Sequence, residues 1–241
     1  MDRGFQQIRV VAFDADDTLW HNETRFRRAE QCFKDLLEGH ALPSVIDSVL
    51  YRHEIKNIKS FGYGAKTFTL SMVEAAIELS KRSVTASQVE EIIAIGNGII
   101  EEPLIVFDEI HDILEQFTRH YDLMIITKGD LMEQENKIRR SGLGHYFRFR
   151  EVVAEKSIET YRGILEQHRI PPHEFLMIGN SLKSDILPVR ELGAEAIHVP
   201  YHTTWMHETV PDEVAAASDH LERSQLREVL ALLAPSRESA C

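Results

Sequence analysis

Two cysteines, Cys32 and Cys241, are all that the 241 residues contain. No disulfide framework can be built from them, and such usage points to a reducing compartment. Glycine and proline are also scarce, at twelve and eight against a combined average near ~12% of residues. That scarcity favours long regular elements over loops. No apolar run approaches the ~18 residues of a membrane span. The apolar stretch near the start, Val10-Val11-Ala12-Phe13, stops at a cluster of acids and is too short for a signal-peptide core. Positive charge is in deficit: 27 lysines and arginines face 39 acids, for a net charge of −12. Nucleic acid and membrane surfaces are therefore not expected partners. What remains is an apolar fraction of 43% with 27% charged residues, enough to build a core and incompatible with global disorder. A soluble, cytoplasmic protein is expected. No pattern fixes its oligomeric state.

Residues 8–13, Ile-Arg-Val-Val-Ala-Phe, form a short β-branched run ending at Asp14-Ala15-Asp16-Asp17-Thr18. Similar runs recur at 123–126, 175–178 and 196–199, with helical patterns after Asp130 and over 157–168. Strands apolar on both faces, alternating with helices, predict βαβ units in an α/β fold with a doubly wound, Rossmann-like parallel sheet. Residues 22–102 read differently. Phe26, Ala29, Phe33, Leu36 and Leu37 open a helical spacing that continues to Ile92 and Ile93. Four amphipathic helices are expected there, joined by loops at 41–44, 61–64 and 82–85. The expected division is a core of residues 1–20 and 104–241 with an all-helical domain, 21–103, inserted after the first strand. Residues 235–239 read as a frayed tail.

Ligands of parallel sheets bind beyond the carboxyl ends of the strands. The residues there are Asp14, Asp16, Asp17 and Thr18 after the first run, Thr127 and Lys128 after the second, and Gly179-Asn180-Ser181 through Asp185 after the third. Lys156 follows Val152-Val153, a plausible short strand. Asp14, Asp16 and Asp185 converging would repel one another strongly, and one lysine cannot neutralise them. A divalent cation can, and an all-oxygen site with few protein ligands suits Mg²⁺, which keeps waters and accepts a phosphate oxygen. Thr127, Lys128 and Lys156 are then candidate ligands of the other phosphoryl oxygens. A carboxylate beside the cation can attack phosphorus, and a second one can protonate the leaving oxygen and later activate water.

Phe13-Asp14-Ala15-Asp16-Asp17-Thr18-Leu19 resembles the first motif of the haloacid dehalogenase superfamily. Thr127 resembles its second motif, Lys156 its third, and Gly179 through Asp185 its fourth; the helical insert resembles that superfamily's cap. The resemblance implies Asp14 as nucleophile, Asp16 as general acid and base, and phosphate binding by Thr127 and Lys156. It also implies Mg²⁺ on the Asp14 carboxylate, the Asp16 backbone carbonyl and the Asp185 carboxylate. Two positions depart from the pattern. Asn180 stands where an acid usually follows the glycine, and is read as holding a metal-bound water. Lys128 stands where asparagine is common.

The leading expectation is a Mg²⁺-dependent phosphatase that hydrolyses a small phosphorylated metabolite through an aspartyl-phosphate. A metal-independent 2-haloacid dehalogenase lacks the second aspartate that Asp16 supplies. A phosphomutase is not separable by motif. A phospho-acceptor domain carries its aspartate after a third strand and has no helical insert. Asn180 keeps a catalytically idle binding protein in play. His198 and His202 are four apart, with His207 beyond, but Pro200 interrupts any helical face, so no zinc site is expected among them. Arg25, Arg27 and Arg28 are read as the solvated face of a cap helix. Tyr63 and Lys66, around Gly62 and Gly64, either reach down toward substrate or belong to a structural turn.

Overall fold

The computed structural model describes residues 5–218 and 220–233; the tail at 235–239 and Cys241 lie outside the described residues. Six parallel strands form one sheet in the order β3-β2-β1-β4-β5-β6. They are β1 (Val10–Phe13), β2 (Asp122–Lys128), β3 (Phe149–Val153), β4 (Phe175–Gly179), β5 (Glu195–His198) and β6 (Leu221–Glu222). All four residues of β1 are fully buried, as expected of a central strand covered on both faces. One face packs on α5 (Ile110–Thr118) and α10 (Leu226–Leu233) through Phe13, Ile113, Leu114, Phe117 and Val229. The other packs on α7 (Ile158–His168) and α8 (Leu187–Glu191) through Met124, Met177, Tyr161, Ile164 and Val189. α6 (Leu131–Ser141) follows β2, and α9 (Asp212–Ala217) precedes β6.

Between β1 and β2 lie four helices, α1 (Glu23–Leu36), α2 (Pro43–Phe61), α3 (Ala65–Leu79) and α4 (Ala86–Glu101). Their periodic apolar residues close a separate cluster that includes Phe33, Leu37, Ile46, Met72 and Ile92. The breaks are where the sequence puts them. Pro43 opens α2, Gly62 (φ 76°) ends it, and Thr85 starts α4 with a capping box shared with Gln88. The two segments joining insert and sheet pair with each other: His21 N donates to Ile105 O (3.0 Å) and Phe107 N to Leu19 O (3.0 Å).

Several features differ from expectation. The sequence reading assigns nothing to 104–121, yet Ile110, Ile113, Leu114 and Phe117 make α5. A two-residue β6 is too short to leave a periodic trace. Arg25 is not solvated. It is 5% exposed, and its guanidinium hydrogen-bonds the Glu102 carbonyl just beyond α4, tying the first cap helix to the last. Arg27 pairs with Glu23 and Glu30, and Arg28 with Glu102. Among the described residues, no helix is long and apolar enough to cross a membrane.

A cap with its own core should loosen by itself. Phe33→Ala removes a fully buried ring from that core and is expected to cost about 3–5 kcal/mol. Hydrogen exchange should then accelerate in α1–α4 while β1, β2 and β4 keep their protection; uniform loss across both parts would refute cap independence.

Candidate active site

The strand order reverses at β1, with β2 on one side and β4 on the other, and this switch point opens a crevice at the strands' carboxyl ends. Asp14 leaves β1 with its N–H bonded to Ile178 O of β4 (2.9 Å). Asp185 comes from the π-helical turn Leu182–Ile186, entered through Ser181, whose hydroxyl accepts from Ser184 N (3.0 Å). Ser181 N donates to Asp185 Oδ2 (3.0 Å). Gly179 permits this folding-back: a Cβ there would stand 2.3 Å from Asp185 Oδ2.

Lys156 bridges the two acids, with Nζ 2.5 Å from Asp14 Oδ1 and 2.6 Å from Asp185 Oδ1. All three groups are buried. Burial, with help from the Asp185 and Asp16 charges and against the pull of Lys156, pushes Asp14 up to about 7. Burial would lower the Lys156 ammonium, but the two carboxylates outweigh it and hold it well above its ordinary value. Two carboxylates around one ammonium leave a buried excess of negative charge. Thr127, 1% exposed at the end of β2, lines the same pocket with a hydroxyl that has no hydrogen-bond partner. Asn180 satisfies its surroundings with its amide nitrogen turned inward, donating to Asp14 Oδ2 (3.2 Å) and to Asp16 O (3.2 Å).

The side chain of Asp16 points into a different network. Its carboxylate accepts from Trp20 Nε1 (2.6 Å), Gln134 Nε2 (2.8 Å) and Lys137 Nζ (3.0 and 3.1 Å). Burial alone would raise Asp16, but Lys137 and these hydrogen bonds overcome it and hold the carboxyl below its ordinary range. Asp17, in the left-handed region at φ 63°, caps α1 by accepting from Asn22 N (2.8 Å) and Glu23 N (3.0 Å).

Lys128 is committed elsewhere. Its ammonium meets Glu208, Ser184 Oγ (3.1 Å) and Glu155 (3.3 Å), and lies 4.3 Å from the Tyr63 ring centre. Tyr63 and Lys66 prove to be part of a seam between cap and core. Tyr63 OH donates to Glu155 (2.6 Å), Lys66 pairs with Asp130 (2.8 Å), and Ala65 N at the start of α3 donates to Glu133 (2.9 Å). Glu54 of α2 meets His207 (2.9 Å). The sequence reading gave no role to Glu133, Gln134 and Lys137. Their signal was present: the i, i+1, i+4 polar face of the helix that Asp130 caps just after the Thr127 strand. Glu208, far along the chain at the end of the short 3-10 turn Met206–Glu208, left none.

Residues 8–193 match the haloacid dehalogenase-like hydrolase family. The chain belongs to that family. A haloacid dehalogenase-like family hydrolase of known structure from Xanthomonas campestris is 38% identical, with a TM-score of 0.80 over 94% of this chain and 92% of that one. Glyceraldehyde 3-phosphate phosphatase from Pyrococcus furiosus is 25% identical over 81% of this chain and 82% of its own length. A 2-haloacid dehalogenase from Pseudomonas syringae shares the fold at 19% identity, with a TM-score of 0.58 over 94% of this chain and 98% of that one. For this haloacid dehalogenase-like hydrolase, relatives thus carry both phosphatase and dehalogenase names.

Acids crowd the entrance of α1 as well. Burial, with Asp17 and Glu30 adding to it against the pull of Arg27, pushes Glu23 up to about 8. Between about 4.5 and 8 the unfolded chain has lost a proton that the folded one keeps, so stability falls as pH rises through that window. Glu23→Gln removes this slope. Urea midpoints of wild type and variant should coincide near pH 4.5 and separate toward pH 8, with the variant more stable; a wild-type advantage at pH 8 would contradict the assignment.

Proposed function

We propose that this hydrolase is a Mg²⁺-dependent phosphatase acting on a small phosphomonoester through an aspartyl-phosphate, with residues 21–103 as its cap. The observation that carries the reading is the buried, unpartnered Thr127 hydroxyl in the pocket of Asp14, Asp185 and Lys156. A buried donor without a partner costs about 1–3 kcal/mol, and a phosphoryl oxygen satisfies it. The donor set fits a hard cation: the carboxylates of Asp14 and Asp185 and the carbonyl of Asp16 are all oxygens, in a pocket with surplus negative charge. Mg²⁺ on those three groups would neutralise the charge that otherwise opposes attack on a phosphate dianion.

In this reading, an Asp14 carboxylate oxygen forms a bond to phosphorus as the ester oxygen departs, and that oxygen takes its proton from Asp16. Water then attacks phosphorus, Asp16 accepts the water's proton, and the bond from phosphorus to Asp14 breaks. Lys137 favours the ionised Asp16 that the second half requires, and makes the protonated form of the first half the scarcer one. Lys156 holds Asp14 in place and, with Thr127, is available to the equatorial phosphoryl oxygens. The Lys128 ammonium is assigned to the seam rather than to phosphate. The second acid, Asp16, is what favours phosphoryl transfer over dehalogenation, which needs only the nucleophile.

Asp14→Asn should leave a folded protein without turnover or phosphoryl-enzyme, because an amide is a poor nucleophile. In wild type, chelation should abolish hydrolysis of p-nitrophenyl phosphate and Mg²⁺ should restore it. Full activity in excess chelator, or halide release from 2-haloacids without phosphatase activity, would defeat the reading.

The pocket limits the leaving group. Its volume is about 150 Å³, comparable to a protein cavity that takes a molecule the size of benzene, so a small ester is favoured. The cap wall presents Phe26, Ile58 and Phe68 with the carboxylates of Glu30 and Glu54, and among the described residues no cap lysine or arginine lines it. Small esters of neutral or ammonium-bearing alcohols should therefore exceed carboxylate-bearing or bisphosphorylated ones by about tenfold or more in kcat/KM. Glu30→Gln should narrow that ratio. An equal preference for anionic leaving groups would overturn the assignment of the cap wall.

A further inference from the structure

Outside the pocket, at the far edge of the sheet, the fold gathers three metal-ligating side chains. β5 and β6 run parallel with His198 in register with Glu222. Alternate residues of an extended chain share a face, so His220 lies on the side of Glu222 and all three meet. One ligand atom from each falls within 4.8 Å of the other two.

The hydrogen bonds around the two imidazoles point at a ligand. His198, 7% exposed, has Nε2 3.0 Å from the Asn180 carbonyl, an acceptor, so that nitrogen carries a proton. Its Nδ1 faces a second acceptor, Glu222 Oε2, at 2.9 Å. The gap between Nδ1 and Glu222 must hold a proton or a cation. His220 turns Nδ1 toward the Ser218 carbonyl (3.2 Å) and hydroxyl (2.7 Å), which leaves the Nε2 lone pair for a ligand. Each ring is thus anchored through one nitrogen on a backbone carbonyl with the other nitrogen available, the way metal-binding histidines are oriented. Their ring centres are 5.7 Å apart and inclined at 70°.

We propose that His198, His220 and Glu222 form a second cation site, selective for Zn²⁺ or a similar late first-row divalent ion and distinct from the carboxylate pocket. Two imidazoles and one carboxylate are borderline donors that suit zinc, whereas Mg²⁺ demands oxygens. Tetrahedral zinc with ligands near ~2.1 Å needs donor atoms about 3.4 Å apart. Glu222 Oε2 now stands 2.9 Å from His198 Nδ1, and its 59% exposed side chain is free to re-seat to that spacing as an ion enters between them. The ion would clip the short edge strand β6 to β5. Through His198 Nε2–H on the Asn180 carbonyl, it would also steady the loop that carries Asn180 and Ser181 beside Asp14 and Asp185.

The full-length protein, stripped with chelator and desalted into buffer with excess Mg²⁺, is titrated with Zn²⁺ by calorimetry and with Co²⁺ by visible ligand-field absorption. One equivalent should bind despite the Mg²⁺, with the intense absorption of a low-coordinate Co²⁺ ion and a raised Tm. His220→Ala and Glu222→Gln, both changes at the sheet edge, should each weaken Zn²⁺ by about tenfold or more. Phosphatase activity is not the readout, so the outcome is independent of the proposed function. No binding at micromolar Zn²⁺ would overturn the proposal, as would unchanged affinity in both variants, which would place the ion elsewhere.

Discussion

Carboxylates packed together out of water are the constraint on which this molecule turns. Asp14 and Asp185 share one ammonium, that of Lys156, and the pair would not coexist in a buried pocket without it. The parallel sheet makes the convergence possible. β1 and β4 are hydrogen-bonded neighbours whose carboxyl ends meet, so residues 171 positions apart share one crevice. Lys156 arrives from beyond β3, two strands away, and only a long flexible stem spans that distance. Even so, burial, backed by the Asp185 and Asp16 charges, keeps the Asp14 carboxyl raised to about 7 against the pull of Lys156. The proposed cation would offset the surplus of two carboxylates over one ammonium.

A second ammonium solves the same problem for Asp16. Lys137 and Glu133 stand one helical turn apart on α6, so the lysine reaches Asp16 while the glutamate reaches up to Ala65 N of the cap. Burial works against that ammonium, yet Asp16 and Glu133 together keep it above its ordinary value. One helix therefore carries both the ammonium that faces Asp16 and the carboxylate that meets the cap. Other contacts across the seam have the same character: Lys66 with Asp130, Tyr63 with Glu155, and Glu54 with His207. Apolar side chains fill the cap's own core, whereas its boundary with the sheet domain combines these polar pairs with ring contacts of Tyr63 on Trp205 and Tyr51 on His207. Polar seams part more readily than apolar ones because water replaces the lost partners, which suits a lid that must admit substrate and exclude solvent.

What could be read from the sequence follows from what periodicity encodes. The strands β1, β2, β4 and β5 and the helices α1 to α4 each bury a regular stripe, and Asp14, Thr127, Lys156 and Asp185 stand at or shortly beyond the carboxyl ends of strands, so their convergence was legible. Arg25 was misread because nothing local distinguishes it from Arg27 and Arg28; its burial comes from the Glu102 carbonyl 77 residues away. The commitment of Lys128 to Glu208 is equally non-local, since Glu208 lies 80 residues away in a 3-10 turn too short to carry a period. In sequence His198 stands near His202 and His207. In the fold its companions are His220 and Glu222, chosen by strand pairing that a two-residue β6 does not advertise.

Asn180 shows how a local departure can agree with the global electrostatics. Its amide nitrogen sits 3.2 Å from both Asp14 Oδ2 and the Asp16 carbonyl. A carboxylate there would set acceptor against acceptor beside Asp14 Oδ2 and the Asp16 carbonyl, adding a further charge that one ammonium, Lys156, would have to meet. The amide instead donates to the carboxylate oxygen that Lys156 leaves uncovered, sharing it with the Thr18 hydroxyl at 3.1 Å. Asp14 thereby enters the pocket with one oxygen on an ammonium and the other on neutral donors. Neutral donors yield to an incoming cation at less cost than an ammonium does, because no ion pair has to be broken. The oxygen under Asn180 and Thr18 is the one that can change partners, and the oxygen on Lys156 is the one that keeps Asp14 in place.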